Sequence, residues 1–255
     1  AKAELLSHLD PAGTLVINAD DPSQSAFPEA TSASVLRYGA DDADARISDI
    51  EDLGLFGTRF TMKLPSGEIR IGLGLAGRHQ AENLLAAATA AEAFGVGVEE
   101  VAEVAPKLEP APRRGRIHEL ANGITIVDDS YNASPIAMRR LLQLLSAAGG
   151  RRVAVLGEMY ELGEMAGEAH REVGASAAAN CDLLVAVGSE NALELAEAAR
   201  HAGLAGTAVR HVDNAEAAGE LLSSILEPGD VVLIKGSRGV GLDKTVDALL
   251  GLVVA

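Results

Sequence analysis

The second half of the chain limits the possible folds more than any other feature. Short apolar runs at 152–156, 183–187, 208–212 and 231–234 alternate with helical patterns over 166–179, 190–202, 214–226 and 241–251. Runs such as Leu183-Leu184-Val185-Ala186-Val187 are apolar at every position, so both faces of each strand have to be covered. Strands buried on both faces and separated by helices call for an α/β architecture, a parallel doubly wound sheet.

In such sheets ligands bind where strands end and helices begin, because free backbone N–H groups and the helix dipole point into a crevice there. The segment Ile124-Thr125-Ile126-Val127-Asp128-Asp129-Ser130-Tyr131-Asn132-Ala133-Ser134-Pro135 has that form. A β-branched run stops at two carboxylates and a group of small polar residues. Ile136, Met138, Leu141, Leu142 and Leu145 then recur at helical spacing, with Ser134 as N-cap and Pro135 at the first helical position. Two readings fit: a plain strand end followed by a turn, or a ligand crevice.

Composition narrows the partners. The chain has 255 residues with 48% hydrophobic content, enough for one large domain or two ordinary ones. Lys and Arg number 21 against 37 Asp and Glu, a net charge of -16, so a polyanion meets repulsion unless a local basic pocket overcomes it. Nucleic acid and anionic membranes are excluded as partners on that ground. Cys181 is alone, so no intramolecular disulfide forms, and a reducing cytoplasm fits. No apolar run reaches the roughly 20 residues of a membrane span, so no membrane insertion is expected. Aromatics make up only 3%, leaving Ala, Val, Leu and Ile to build the cores.

The first half reads differently. Residues 1–10 suggest the last turns of a helix, and 14–18 and 34–38 are short strands joined by a polar helix or loop. Three strands follow at 47–53, 57–64 and 68–73 with roughly alternating polarity, the mark of a meander with one wet face. A long Ala-rich helix opens at Gly77-Arg78-His79 and runs to Phe94, and a shorter one covers 98–108. Glu109-Pro110-Ala111-Pro112-Arg113-Arg114-Gly115-Arg116 is the linker, its prolines barring helix, and the chain divides into 1–110 and 111–255.

Several side chains could carry chemistry, and each also has a plainer reading. Glu158, Glu161 and Glu164, with His170, could be imagined as a metal site, but the spacing fits an acidic helix start as well. Ile234-Lys235-Gly236-Ser237-Arg238-Gly239-Val240-Gly241 follows the last strand. Its glycines and cations suit a carboxylate or phosphate, although Gly-rich strand-to-helix turns are common in this architecture. It is not a Walker A loop, and no such loop occurs in the sequence. His79 and Asn83 share one face of a helix start. Arg116 reads most simply as a surface charge, and Cys181 as core packing.

Taken together and in this order, Ala1-Lys2-Ala3-Glu4-Leu5, Asn18-Ala19-Asp20-Asp21-Pro22, Gly77-Arg78-His79 with Asn83, Gly115-Arg116, Asp128-Asp129-Ser130-Tyr131-Asn132-Ala133, Gly157-Glu158-Met159 with Glu161-Leu162-Gly163, and Lys235-Gly236-Ser237-Arg238 resemble the Mur ligases. These are ATP-dependent amide-forming enzymes of peptidoglycan synthesis, and the resemblance covers almost the whole chain. Within the family, the last three motifs are similar to the branch that adds D-alanyl-D-alanine to UDP-N-acetylmuramoyl-tripeptide. The Asp-Asn-Pro-Arg motif of the diaminopimelate-adding branch is missing.

The resemblance implies that residues 1–110 are the tail of a central ATPase domain and 111–255 a Rossmann-like C-terminal domain. It implies that ATP phosphorylates the tripeptide's terminal carboxylate and that the dipeptide amine attacks the acyl phosphate. Asn83 would contact adenine, Arg116 the nucleotide phosphates and Asp129 the ribose, with Tyr131 and Asn132 lining the same pocket. Lys2 aligns with a lysine that is carbamylated in the family and becomes a Mg2+ ligand. Lys235, Ser237 and Arg238 would receive the dipeptide carboxylate, and the protein would act as a monomer.

Two departures bear on this. Gln80 replaces the first Asn of the family's His-Asn-x-x-Asn, and the N-terminal substrate domain and phosphate-binding loop are absent. The chain is therefore expected to be a fragment that turns over no substrate alone. Three rival readings remain at this point. A dinucleotide-dependent oxidoreductase lacks its Gly-x-Gly-x-x-Gly after a first strand. The others are a non-catalytic nucleotide-binding module and another branch of the family, of the folylpolyglutamate or cyanophycin type.

Overall fold

The computed structural model describes residues 2–251. It resolves into two compact units, Ala1–Glu109 and Pro110–Ala255.

In the first unit a 3-10 helix, Lys2–His8, precedes β1 (Thr14–Asn18) and β2 (Ser34–Tyr38), which pair in parallel. The expected helix or loop between them is a pair of 3-10 turns, the first capped by the Asp21 side chain. β3 (Arg46–Asp52), β4 (Thr58–Leu64) and β5 (Gly67–Leu73) form an antiparallel meander. β4 shows why it lies as it does. Thr58, Phe60, Met62 and Leu64 face inward at period two while Arg59 stays exposed.

α1 (Arg78–Glu92) covers the meander with Ala81, Leu85, Ala88 and Thr89, and α2 (Val98–Val104) adds Val98 and Val101. Gly77 caps α1 at φ 90, a backbone conformation that L side chains rarely adopt. Phe60, Met62, Ile71, Leu85 and Val98 belong to a hydrophobic core within this unit.

The second unit holds β6 (Arg116–Glu119), β7 (Thr125–Asp129), α3 (Pro135–Ser146), β8 (Arg152–Gly157), α4 (Ala166–Asn180) and β9 (Leu183–Val187). α5 (Glu190–His201), β10 (Val209–Val212), α6 (Ala215–Ile225), β11 (Val231–Lys235) and α7 (Asp243–Gly251) complete it. The sheet order is β10-β9-β8-β11-β7-β6. Every neighbouring pair is parallel except β6 with β7.

That exception departs from the all-parallel sheet expected from the strand–helix alternation. β6 is joined to β7 by a tight turn in which Gly123 N–H donates to Leu120 C=O, with Gly123 at φ 83. So short a connection can only produce antiparallel neighbours. The Asn122-Gly123 dipeptide carries that signal, but β6 has polar residues at three of its four positions, so no apolar run marks it.

The core of this unit explains the uninterrupted apolar strands. Ile126, Val155, Val185, Val232 and Ile234 pack with Leu222 of α6 and with Val246 and Leu249 of α7. β9 and β11 are buried at all five positions, including the terminal Lys235. After β7 the chain skips a place to lay down β8, β9 and β10, and β11 then fills the gap beside β7. The winding therefore reverses in the return from β10 to β11, between β8 and β7, a place where open α/β sheets form a crevice at the strand ends.

Candidate functional site

Loops from four strands meet at the carboxyl edge of the six-stranded sheet. The one after β7 is held by Asp128, buried, whose Oδ1 accepts from Ser130 N–H (3.1 Å) and from Ser130 Oγ–H (2.6 Å). This side-chain turn ends the strand and sends Tyr131 and Asn132 outward. Ser134 then caps α3, accepting from Ala137 N–H, with Pro135 at the first helical position as its sequence predicts.

Asp129 alternates to the other face of β7 and meets Lys235, its register partner on β11. The Lys235 ammonium, 3% exposed with its residue, forms an ion pair with Asp129 and donates to the Asn132 carbonyl at 2.8 Å. Two of the contacts of the Lys235 ammonium are thus made within the chain. They tie the end of β11 to the loop carrying Tyr131 and Asn132.

Ser237 is likewise engaged. Its N–H donates to Glu158 C=O (3.0 Å) and its Oγ accepts from Tyr160 N–H (2.9 Å), which stitches the β11 loop to the β8 loop. Arg238 is exposed, and its guanidinium lies 5.3 Å from the centre of the Tyr131 ring. The Arg114 guanidinium lies 4.3 Å from the same centre, so two cations use one aromatic quadrupole. Arg114 carries no signal of its own in the sequence, because nothing in a linker marks which of its arginines meets a ring.

Glu158, weighed from the sequence only as part of a metal site or an acidic helix start, has another setting. It is buried, and its Oε1 accepts from Ser189 Oγ–H at 3.1 Å while Oε2 lies 3.5 Å from Tyr160 Oη. Burial, and secondarily the Glu158 charge, raise the Tyr160 phenol above its ordinary pKa.

His170 sits fully buried in α4, accepting from Met159 N–H through Nε2 (2.8 Å) with Nδ1 2.6 Å from Ala166 C=O. Nδ1 therefore carries the proton, and both nitrogens serve the backbone. Glu161 and Glu164 are exposed, and the described residues hold no group of three acidic, His or Cys side chains placed for a metal ion. Cys181 is buried, and desolvation pushes its thiol up to about 12, which keeps it from acting as a thiolate nucleophile.

Arg116 is exposed on β6, opposite Asp128 in register. His118, two residues along the same strand, places Nε2 4.0 Å from Asp128 Oδ2. In the first unit Asn83 is exposed on α1 and donates to Gln80 Oε1 at 3.3 Å. The side chain of Lys2 lies outside the described residues.

Residues 1–91 match the Mur ligase middle domain, and residues 113–238 match the glutamate ligase domain of Mur ligases. The chain belongs to the Mur ligase family. This Mur ligase chain is 37% identical to the UDP-N-acetylmuramoyl-tripeptide–D-alanyl-D-alanine ligase of Mycobacterium tuberculosis, over 98% of its own length and 53% of the relative's. It is 31% identical to the Escherichia coli protein of the same name, over 98% of the chain and 54% of that relative. It thus spans about half the length of the curated relatives it matches. Among solved structures, MurF from Acinetobacter baumannii superposes with a TM-score of 0.84 at 27% identity, covering 98% of this chain and 54% of that one. MurF from Thermotoga maritima in complex with ADP superposes at 0.78 and 26% identity, covering 97% and 55%. A folylpolyglutamate synthase from M. tuberculosis, at 20% identity and a TM-score of 0.70, shares the fold.

Proposed function

We propose that this chain is part of an ATP-dependent amide ligase that adds D-alanyl-D-alanine to UDP-N-acetylmuramoyl-tripeptide, a step of peptidoglycan precursor synthesis in the cytoplasm. The observation that carries the reading is the bond between its two most specific motifs. The Asp128–Asn132 loop and the Lys235–Arg238 loop are held together by the Lys235–Asp129 pair at the sheet's order reversal. Relatives named for that reaction, and a neighbour solved with ADP, support it.

In this reading Asn83 contacts adenine, Arg116 the nucleotide phosphates and Asp129 the ribose, with Tyr131 and Asn132 beside them. Arg238 receives the dipeptide carboxylate, while Lys235 and Ser237 act by holding the loops that present it. ATP supplies a phosphoryl group to the tripeptide carboxylate; the dipeptide amine then forms the amide bond as phosphate leaves. Charge moves among oxygens throughout, so stabilisation by fixed cations and dipoles carries most of the rate. Mg2+ belongs to the intact ligase, with Lys2 as a ligand if carbamylated. The described residues present no carboxylate cluster of their own for it. No described helix is long and apolar enough to cross a membrane.

The test is a coupled assay for ADP on the longest polypeptide that carries this sequence. Release is expected only when UDP-N-acetylmuramoyl-tripeptide and D-alanyl-D-alanine are both present. Release with a folate and glutamate instead would move the protein to another branch. The 255 residues contain no Walker A loop, and by themselves they are expected to turn over no ATP.

A further inference from the structure

The second unit contains a cavity of about 370 Å³ lined by Pro112, Arg113, Ser130, Tyr131, Arg238 and Asp243. That volume lies at the small end of the range for small-molecule sites, about 300–1,000 Å³. We propose that it is an oxyanion site in which Arg113 and Arg238 together hold a phosphate or carboxylate group beside the Tyr131 ring. The proposal rests on the reading above only for the choice of ligands, a nucleotide or the incoming dipeptide.

Four observations lead there. Arg113 Nη1 is shielded from solvent and has no hydrogen-bond partner, the nearest carboxylate oxygen of its ion pairs, Asp243 Oδ2, standing 3.8 Å away. A guanidinium N–H without an acceptor is rare and leaves hydrogen-bonding capacity unused, and the Arg113 side chain as a whole remains 30% exposed. Arg238, on the β11 loop, forms no ion pair among the described residues, and its guanidinium lies 5.3 Å from the centre of the Tyr131 ring. Arg113 also holds a left-handed backbone at φ 62, uncommon for a side chain of its size. Such conformations persist where the surroundings over-determine them, often at ligand sites. Its Nη2 is anchored 3.2 Å from Asp247 on α7, and its carbonyl accepts from Tyr131 N–H at 3.1 Å.

Charge makes the same point. Arg113, Arg114 and Arg238 gather around one tyrosine in a chain of net charge -16. Asp243 and Asp247 offset part of that concentration from one side, and an oxyanion between the two guanidinium groups offsets the rest. Arg113 is the addition: the family resemblance rests on Gly115-Arg116, not on this residue.

The test uses the 255-residue chain labelled with 15N and titrated separately with ADP, D-alanyl-D-alanine and inorganic phosphate. The readouts are the amides of Arg113, Ser130 and Tyr131 and the Arg238 Nε–H. At least one ligand is expected to shift them saturably. R113M and R238M are each expected to weaken that binding about tenfold, by loss of a charge-assisted hydrogen bond, while R139M leaves it unchanged. Arg238 is exposed, so R238M tests the site even if R113M fails to fold. Saturation by ADP assigns the cavity to the nucleotide, and saturation by the dipeptide assigns it to the amine substrate. Phosphate binding with neither organic ligand keeps the site and removes the ligase ligands. If no probe shifts these groups, or if ADP or dipeptide binds equally to both variants, the cavity proposal fails and the ligase reading stands apart from it.

Discussion

At the scale of single residues, the Lys235–Asp129 pair shows how little a side chain's type says about its role. A lysine in a Gly-rich loop suggests a free cation, yet here the ammonium is nearly enclosed and satisfied by a carboxylate and a carbonyl. Removing one member of a buried pair leaves the other charge uncompensated, which costs about 3 kcal/mol. K235M is therefore expected to lower the unfolding free energy of the second unit, measured by urea titration, by that amount, and K235M with D129N to recover part of it. A midpoint unchanged by K235M would show that water already screens the pair.

Asp182 makes a second prediction at this scale. Arg152 donates to both of its oxygens, Nε at 2.9 Å and Nη2 at 2.6 Å, and the Arg152 backbone N–H donates to the same carboxylate. Those bonds hold its pKa below the ordinary Asp value. A carboxyl group lowered by folding contributes stability that is complete above the unfolded value, near 3.9, and is lost as pH falls through the folded value. D182N is expected to flatten stability against pH below about 4 and to leave the slope between pH 5 and 7 alone. Acid titration by circular dichroism measures both.

At the scale of elements, α4 and α5 owe their close approach to one missing methyl. A Cβ at Gly174 would sit 2.1 Å from the Leu195 carbonyl oxygen, which belongs to rigid helix backbone. Helix propensity alone favours Ala over Gly by about 1 kcal/mol. Overpacking against backbone costs about 1–3 kcal/mol or more, so the clash decides the sign. G174A is expected to destabilise the second unit, read from its thermal midpoint. Most elements of the unit were legible because their signals are local: apolar runs for β8, β9 and β11, and Ser134-Pro135 for the start of α3. β6 was not, since an edge strand with a polar face has no run to show, and Arg116 reads from the sequence as a surface charge without the strand that carries it.

At the scale of the molecule, each unit has a core of its own, Phe60, Met62 and Leu85 in one and Val155, Val232 and Leu222 in the other. A unit with its own core can fold alone. Residues 110–255 expressed by themselves are expected to unfold in one cooperative transition with native-like circular dichroism. A molten, non-cooperative transition would refute this. The net charge of -16 argued against polyanions as partners, but an average says nothing about Arg113 and Arg114, which meet Arg238, more than a hundred residues further along the chain, around Tyr131.

The sequence by itself determined the α/β class, the alternation of strands and helices, the caps that start α3 and the motifs that resemble a ligase family, because hydrophobic period and turn chemistry act over a few residues. Only the tertiary structure decided that β11 lies between β7 and β8, that β6 runs antiparallel, that Lys235 meets Asp129, and that Arg113 and Arg238 line one cavity. Those are pairings between distant segments. Burial and packing of both sheet faces select them together, and no local pattern encodes which strand will be the neighbour.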